Sequence, residues 1–205
     1  MKEGIRKEYK KVYDASSKRI DIVQVPEFNF IMIDGIGNPK VEEFKLKKHA
    51  LKILSQEIRE YFKKEKDLLY LISPLEGLWD TYDNSRFDVT RKKMIRFTLM
   101  MAQPKLLDEA TFEMIKQRTA IKKDNPYIVD VYLKKYCEGE CVQTLHRGPY
   151  NTEIEDTKKL MEYITIQNMK LVGFHHEIYL KDEEKVDEEK LKTIIRYAIE
   201  EEQGM

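Results

Sequence analysis

The sequence predicts an α+β fold with a pseudo-two-fold duplication of a β-β-α-β-β unit: an antiparallel sheet, helices on one face and a ligand groove between the repeats. Three observations predict it. The order strand, strand, Gly and Pro, helix, strand, strand occurs twice, starting at Ile20 and Ile128. Glycine and proline fall at corresponding places, Gly35 to Pro39 and Gly148-Pro149. A helical stretch, about 108–123, separates the two runs. Residues 1–19 read as an N-terminal arm exposed to solvent, and 20–205 as one domain, with repeat one at about 20–104 and repeat two at about 127–199.

Each element has its own signal. Ile20 to Val25 and Asn29 to Gly35 read as strands flanking a Pro26-Glu27 turn, and Phe30 to Ile33 is apolar on both faces, as a strand covered on both sides would be. Val41, Phe44, Leu51, Leu54, Ile58 and Tyr61 recur at helical spacing and predict a helix over 41–65. Leu69 to Asp80 and Lys93 to Ala102 are the next strands; Ile95, Phe97, Leu99 and Met101 share one face. Asp108 is placed to cap the linking helix. Tyr127 to Tyr136 and Glu140 to Arg147 read as a hairpin around Glu138-Gly139, with Cys137 and Cys141 facing each other across it. A helix is expected over 152–168, with Ile154, Met161 and Ile164 inward, and a strand over 174–181. Residues 187–192 look helical, whereas 193–199 are β-branched and aromatic enough for a strand. The mixed-charge run 182–189 reads as a solvated loop.

Composition excludes several classes. The 205 residues carry 37 basic and 37 acidic side chains, so no net field draws the chain to nucleic acid or an anionic membrane. No apolar run approaches the ~20 residues of a membrane span, and the lysine-rich start lacks the apolar segment of a secretory signal. Two cysteines make no disulfide framework, so a cytoplasmic location is expected. The nineteen leading residues are too few for a helix-turn-helix, and no phosphate loop, serine elbow or HExxH motif is present. No metal and no cofactor are expected. The expected partner is a small-molecule ligand, with no direct contact to nucleic acid or membrane.

The candidate chemistry lies on two strands. Ser73-Pro74-Leu75-Glu76-Gly77-Leu78-Trp79 sets a carboxyl beside the lone tryptophan, and Phe174-His175-His176-Glu177-Ile178-Tyr179-Leu180 again holds a carboxyl in an apolar run. Glu76 and Glu177 are read as matching places in the two repeats. A buried carboxyl must be paired or protonated; one with a raised pKa suits a general base near neutrality or the holding of a lipophilic cation. Strand alternation puts His175, Glu177 and Tyr179 on one face. Trp79 and Tyr150 are candidate aromatic walls, and His146 precedes the Gly148-Pro149 turn.

Together, these stretches, Met94 to Met100 with Gln103-Pro104, Cys141 to Tyr150, and Lys190 to Arg196 resemble the GyrI-like small-molecule-binding proteins over roughly residues 20–199. Within that family they are most similar to the stand-alone subfamily that includes cyclopropanoid cyclopropyl hydrolases. The resemblance implies a ligand held in the pseudo-symmetric groove. It also implies binding of apolar or cationic xenobiotics against a buried glutamate, or opening of the strained ring of cyclopropanoid DNA-alkylating compounds by water. Non-catalytic sequestering or sensing, and a gyrase-inhibitor type of protein interaction, are the alternatives it carries. Carried onto this chain, Glu177, Glu76 and Tyr150 become the candidate catalytic residues, and Trp79, Tyr179, His146 and His175 the ligand contacts. Asp80 stands where the subfamily pattern commonly has a second aromatic.

Overall fold

The computed structural model describes residues 10–81 and 95–201. Strands β1 (Asp21–Val25) and β2 (Phe28–Ile36) lead into helix α1 (Glu42–Glu65), then β3 (Leu75–Thr81) and β4 (Ile95–Gln103). Helix α2 (Glu109–Lys122) follows, capped by the Asp108 side chain, which accepts from the Thr111 amide at 2.7 Å. The second run is β5 (Tyr132–Tyr136), β6 (Gly139–Arg147), α3 (Glu153–Ile166), β7 (Met169–Tyr179) and β8 (Lys192–Glu201). Among the described residues no helix is long and apolar enough to cross a membrane.

All eight strands form one antiparallel sheet in the order β1-β6-β8-β7-β3-β4-β2-β5. Exchanging each strand for its counterpart in the other run reproduces this order reversed, with the dyad at the β3/β7 seam. The two-residue turns are not hairpins. Neither β1 with β2 nor β5 with β6 pairs; instead β1 joins β6 and β5 joins β2. The expected hairpin around Glu138-Gly139 is therefore corrected: Pro26-Glu27 and Cys137-Glu138 hand each chain segment over to the opposite half. Cys141 is buried and Cys137 exposed, both as free thiols.

That crossover dictates curvature. In a flat sheet β1 and β2 would stand roughly 29 Å apart, at ~4.8 Å per strand, yet the three Cα steps from Val25 to Phe28 reach at most ~11 Å. The sheet must curl until its two ends meet. Its inner face closes on Val25, Phe28, Phe30, Met32, Leu78, Met100, Cys141, Leu145, Ile178, Ile194 and Ala198. Val12 and Tyr13 pack into the same cluster, 4% and 1% exposed. The expected solvated arm is corrected accordingly over these residues, because burying the Val12 side chain and the Tyr13 ring in this cluster removes their apolar area from water.

The outer face carries the helices. Ile31, Ile33, Ile95, Phe97, Leu99 and Met101 pack against Phe44, Leu51, Leu54 and Ile58 of α1 and Phe112 and Ile115 of α2. Leu160 and Ile164 of α3 cover Val142, Ile195, Tyr197 and Ile199. Val41 is exposed and lies just outside α1, with Phe62 buried one place beyond the expected Tyr61. Residues 69–74 belong to no strand, so β3 starts at Leu75; Lys93 and Met94 lie outside the described residues. β7 begins at Met169, five residues earlier than expected, with a register break between Val172 and His176. Gly173 takes a left-handed φ of +76° there, which glycine alone adopts without strain. Residues 188–190 form a short 3₁₀ turn, and the strand signal beyond them prevails.

Candidate functional site

A cavity of about 1010 Å³ opens on the helix-bearing face, over the β3/β7 seam. Its lining comes from both repeats: Phe44, Lys48 and Lys52 of α1, Leu75 and Trp79 of β3, Tyr150, Glu153 and Ile154 before and in α3, and Glu177 and Tyr179 of β7. Alternation in β3 and β7 settles which side chains reach it. In the paired register Trp79 lies opposite His175 and Gly77 opposite Glu177, so odd-numbered residues of both strands face the helices.

The walls are aromatic. Trp79 stacks on Phe44 with ring centroids 5.9 Å apart and planes 24° from parallel. Tyr150 meets Tyr179 edge to face at 5.8 Å. Among the described residues the buried indole Nε1–H of Trp79 has no hydrogen-bond partner. Gly77 makes room for this arrangement, since a Cβ there would lie 2.8 Å from Trp79 Nε1 and 3.2 Å from the Tyr179 hydroxyl. Gly77→Ala is therefore expected to displace the indole and weaken ligand binding about tenfold or more while the far-ultraviolet spectrum stays native. Tryptophan emission together with a ligand titration checks this.

At the polar end stands Glu177. It accepts from the Tyr179 hydroxyl at 2.6 Å and lies 2.9 Å from His175 Nε2, while His175 Nδ1 meets the Tyr197 hydroxyl. The raised pKa expected of a carboxyl buried in this run is corrected for Glu177: burial alone would raise it, but its bonds to His175 and Tyr179 outweigh that and hold it below the ordinary range. Glu153, in the first turn of α3, places a carboxyl oxygen within 4.8 Å of one of Glu177. Burial, then the Glu177 charge, push Glu153 up to about 10. The two shifts run in opposite directions, so Glu153 is the carboxyl that keeps its proton to higher pH. Glu153, His175 and Glu177 also offer three donor atoms within 4.8 Å of one another; His175 Nε2 and Glu177 are already engaged with each other.

Glu76 is not part of this site. It points to the inner face of the sheet, is 1% exposed, and accepts from the Tyr13 hydroxyl at 2.8 Å with His176 Nε2 at 3.1 Å. The expected equivalence with Glu177 is corrected: the two differ in strand parity, so the dyad cannot superpose them. His176 Nδ1 lies 2.9 Å from Glu138. With a carboxyl oxygen at each ring nitrogen, both nitrogens donate and the ring is an imidazolium. Arg196 completes this inner network, donating to Glu138 at 3.1 Å, to Gln143 at 3.0 Å and to the Val12 carbonyl. His146 is likewise outside the cavity lining. It bridges Asp156 at 2.9 Å and the Pro149 carbonyl at 3.1 Å, pinning the Gly148-Pro149 turn to α3. His175 acts behind Glu177 rather than at the cavity surface.

Sequence reasoning missed three contributors. Glu153 and Phe44 read only as helix residues. The run 182–189 contains a strap rather than a free loop. Lys48 pairs with Glu183 and Glu184 at 2.7 and 2.8 Å, and Lys52 with Asp182 and Glu184 at 3.1 and 3.2 Å, tying the β7–β8 connection to α1 beside the cavity. A lysine pair one helical turn apart and an acidic triplet were the available signals.

Three comparisons bear on this geometry. The model of the GyrI-like small molecule binding domain matches residues 18–199. No curated protein matches the sequence. Among solved structures, an uncharacterized conserved protein from Listeria innocua is 30% identical, with a TM-score of 0.89 over 97% of this chain and 100% of its own. A protein described as a hydrolase from Listeria innocua is 28% identical, with a TM-score of 0.83 over 97% of this chain and 100% of its own. A second one described as a hydrolase, encoded by lin2189 of the same organism, is 28% identical, with a TM-score of 0.86 over 98% and 100%.

Proposed function

The chain belongs to the GyrI-like small molecule binding domain family, and from that premise we propose that its seam cavity takes up small, largely apolar or cationic xenobiotics and hydrolyses cyclopropanoid alkylating compounds among them. The observation that carries this is a roomy cavity with Trp79, Phe44, Tyr150 and Tyr179 for walls and the Glu177 carboxylate at its polar end. Flat rings gain area against such walls, and one fixed negative charge attracts a delocalised cation more strongly there than in water.

For hydrolysis, Glu177 would orient one water toward the strained carbon and accept its proton. Tyr150, whose ring lines the cavity, is the donor for the oxygen that gains charge as the ring opens. One positioned base is worth ~10²–10⁴-fold, orientation of the water adds to it, and ring strain supplies part of the driving force. Glu76 and His146 take no part, since one faces the other side of the sheet and the other is held in a turn. Two relatives described as hydrolases, alike over nearly the whole chain, support the catalytic reading. Sequestering or sensing without turnover uses the same cavity and is the second reading.

One experiment tests both. The protein is incubated with a spirocyclopropyl dienone while Trp79 emission and ring-opened product are followed, the product by mass spectrometry. Quenching with water-adducted product is expected. Quenching without product would leave the binding reading alone, and neither signal would remove the cavity from the function.

A further inference from the structure

We propose that Glu153 and Glu177 form a one-proton carboxyl dyad that hydrolyses a carbonyl electrophile, an ester or lactone of a flat apolar compound seated in the seam cavity. This rests on the small-molecule reading of the cavity and extends it to a second reaction class.

Proximity makes the dyad. A carboxyl oxygen of Glu153 lies within 4.8 Å of one of Glu177, with Glu153 3% exposed and the Glu177 side chain 13% exposed, and two carboxylates so close resist being ionised together. The donors sort them. Glu177 has His175 at 2.9 Å and the Tyr179 hydroxyl at 2.6 Å to satisfy a negative charge. Glu153 is 3% exposed, and its buried Oε1 has no donor among the described residues, which is tolerable for a neutral acid. Both residues line the cavity. The groups facing them are His175 and Tyr179 of β7, Tyr197 and Thr193 of β8, Asp156 of α3, Tyr150, and Glu183 of the strap.

Because the carboxyl oxygens lie within 4.8 Å of each other, base and acid act on atoms bonded to each other, as in the C=O of an ester. The attacked carbon and the oxygen gaining charge in a spirocyclopropyl dienone stand at opposite ends of the ring system, which so close a pair does not span. In the ester reaction, Glu177 takes a proton from water as its oxygen bonds to the carbonyl carbon, and Glu153 gives its proton to the carbonyl oxygen. The neutral tetrahedral adduct then collapses. Glu153 recovers a proton from one hydroxyl, the C–O bond to the leaving group breaks, and Glu177 protonates the departing oxygen. Ester and water become acid and alcohol, and the dyad ends with its single proton where it began.

The test uses the full chain with p-nitrophenyl benzoate and dihydrocoumarin as probes and reads kcat/KM against pH. The wild-type protein should give a bell-shaped profile from two apparent ionisations of the pair. Glu153→Gln and Glu177→Gln should each lose about 10²–10⁴-fold, and the double variant should lose no more than the worse single, because the pair acts as a unit. Trp79 quenching by the non-hydrolysable phenyl benzyl ether, retained in Glu153→Gln, shows that the cavity is intact. Quenching by the ether with no ester turnover in the wild-type protein would overturn the dyad while sparing the cavity. Turnover surviving Glu153→Gln, or a profile with one limb only, would overturn it as well. Absence of quenching would strike the cavity reading itself.

Discussion

Arg196→Met is expected to lower the free energy of unfolding by about 3–5 kcal/mol, a large share of the ~5–15 kcal/mol a domain of this kind has. Arg196 is 1% exposed, and its guanidinium holds Glu138, Gln143 and the Val12 carbonyl together. Methionine fills much of the volume but strands Glu138, 4% exposed at its side chain, with His176 as its remaining charged partner. A urea midpoint unchanged by the substitution would refute the argument. Replacing Glu138 as well should restore part of the loss, because an uncompensated buried charge costs more than an absent pair.

The same network sets a pH dependence. For Glu138, burial raises the carboxyl, but the His176 charge and hydrogen bond, then Arg196, overcome it and hold it down to about 2. For His176, burial opposes the charge, but Glu138 and Glu76 prevail and raise it to about 9. A depressed acid stabilises above its unfolded value of 4.5 and ceases to as pH falls toward 2. A raised histidine stabilises fully below 6.5 and ceases to as pH climbs through about 9. The network's contribution should therefore be greatest between 4.5 and 6.5, and thermal unfolding of wild type and Arg196→Met should differ most there.

The second large effect concerns the outer face. Glu177→Gln is expected to weaken a lipophilic monocation, such as an aryl quaternary ammonium ion, by about 10–100-fold, since a buried charged contact is worth ~1.5–3 kcal/mol. An uncharged ligand of the same shape should bind about as before, because the aromatic walls are unchanged. Equal losses for both ligands would mean that Glu177 supports the cavity's shape rather than reading charge. Trp79 fluorescence titration measures both.

Much of this is legible in the sequence. Period-two and period-3.6 patterns place the strands and helices, and their repetition points to the two-fold relation between the halves. Parity put His175, Glu177 and Tyr179 on one face, which is where they lie. What patterns could not supply was pairing. Local signals around Pro26-Glu27 and Glu138-Gly139 resemble hairpin turns, yet the partner of β5 is β2, a hundred residues away in the chain. Nor could spacing separate Glu76 from Glu177. Each is a carboxyl in an apolar run, and only the register between β3 and β7 shows that one faces the core and the other the cavity. Glu153 was hidden because an acid in the first turn of a helix is ordinary, favoured there by the helix dipole. Its partner across the cavity makes it unusual.

The handing over of β1 and β5 between repeats means that neither half can be cut free. A fragment ending after β4 would keep β1 with nothing to pair against and leave β2 with a bare edge, and the complementary fragment would suffer the same. The architecture is that of a strand-exchanged homodimer whose two copies have been fused into one polypeptide. Mixing separately produced halves should regenerate the fold where either alone stays unstructured, and unfolding of the intact chain should be a single all-or-none event.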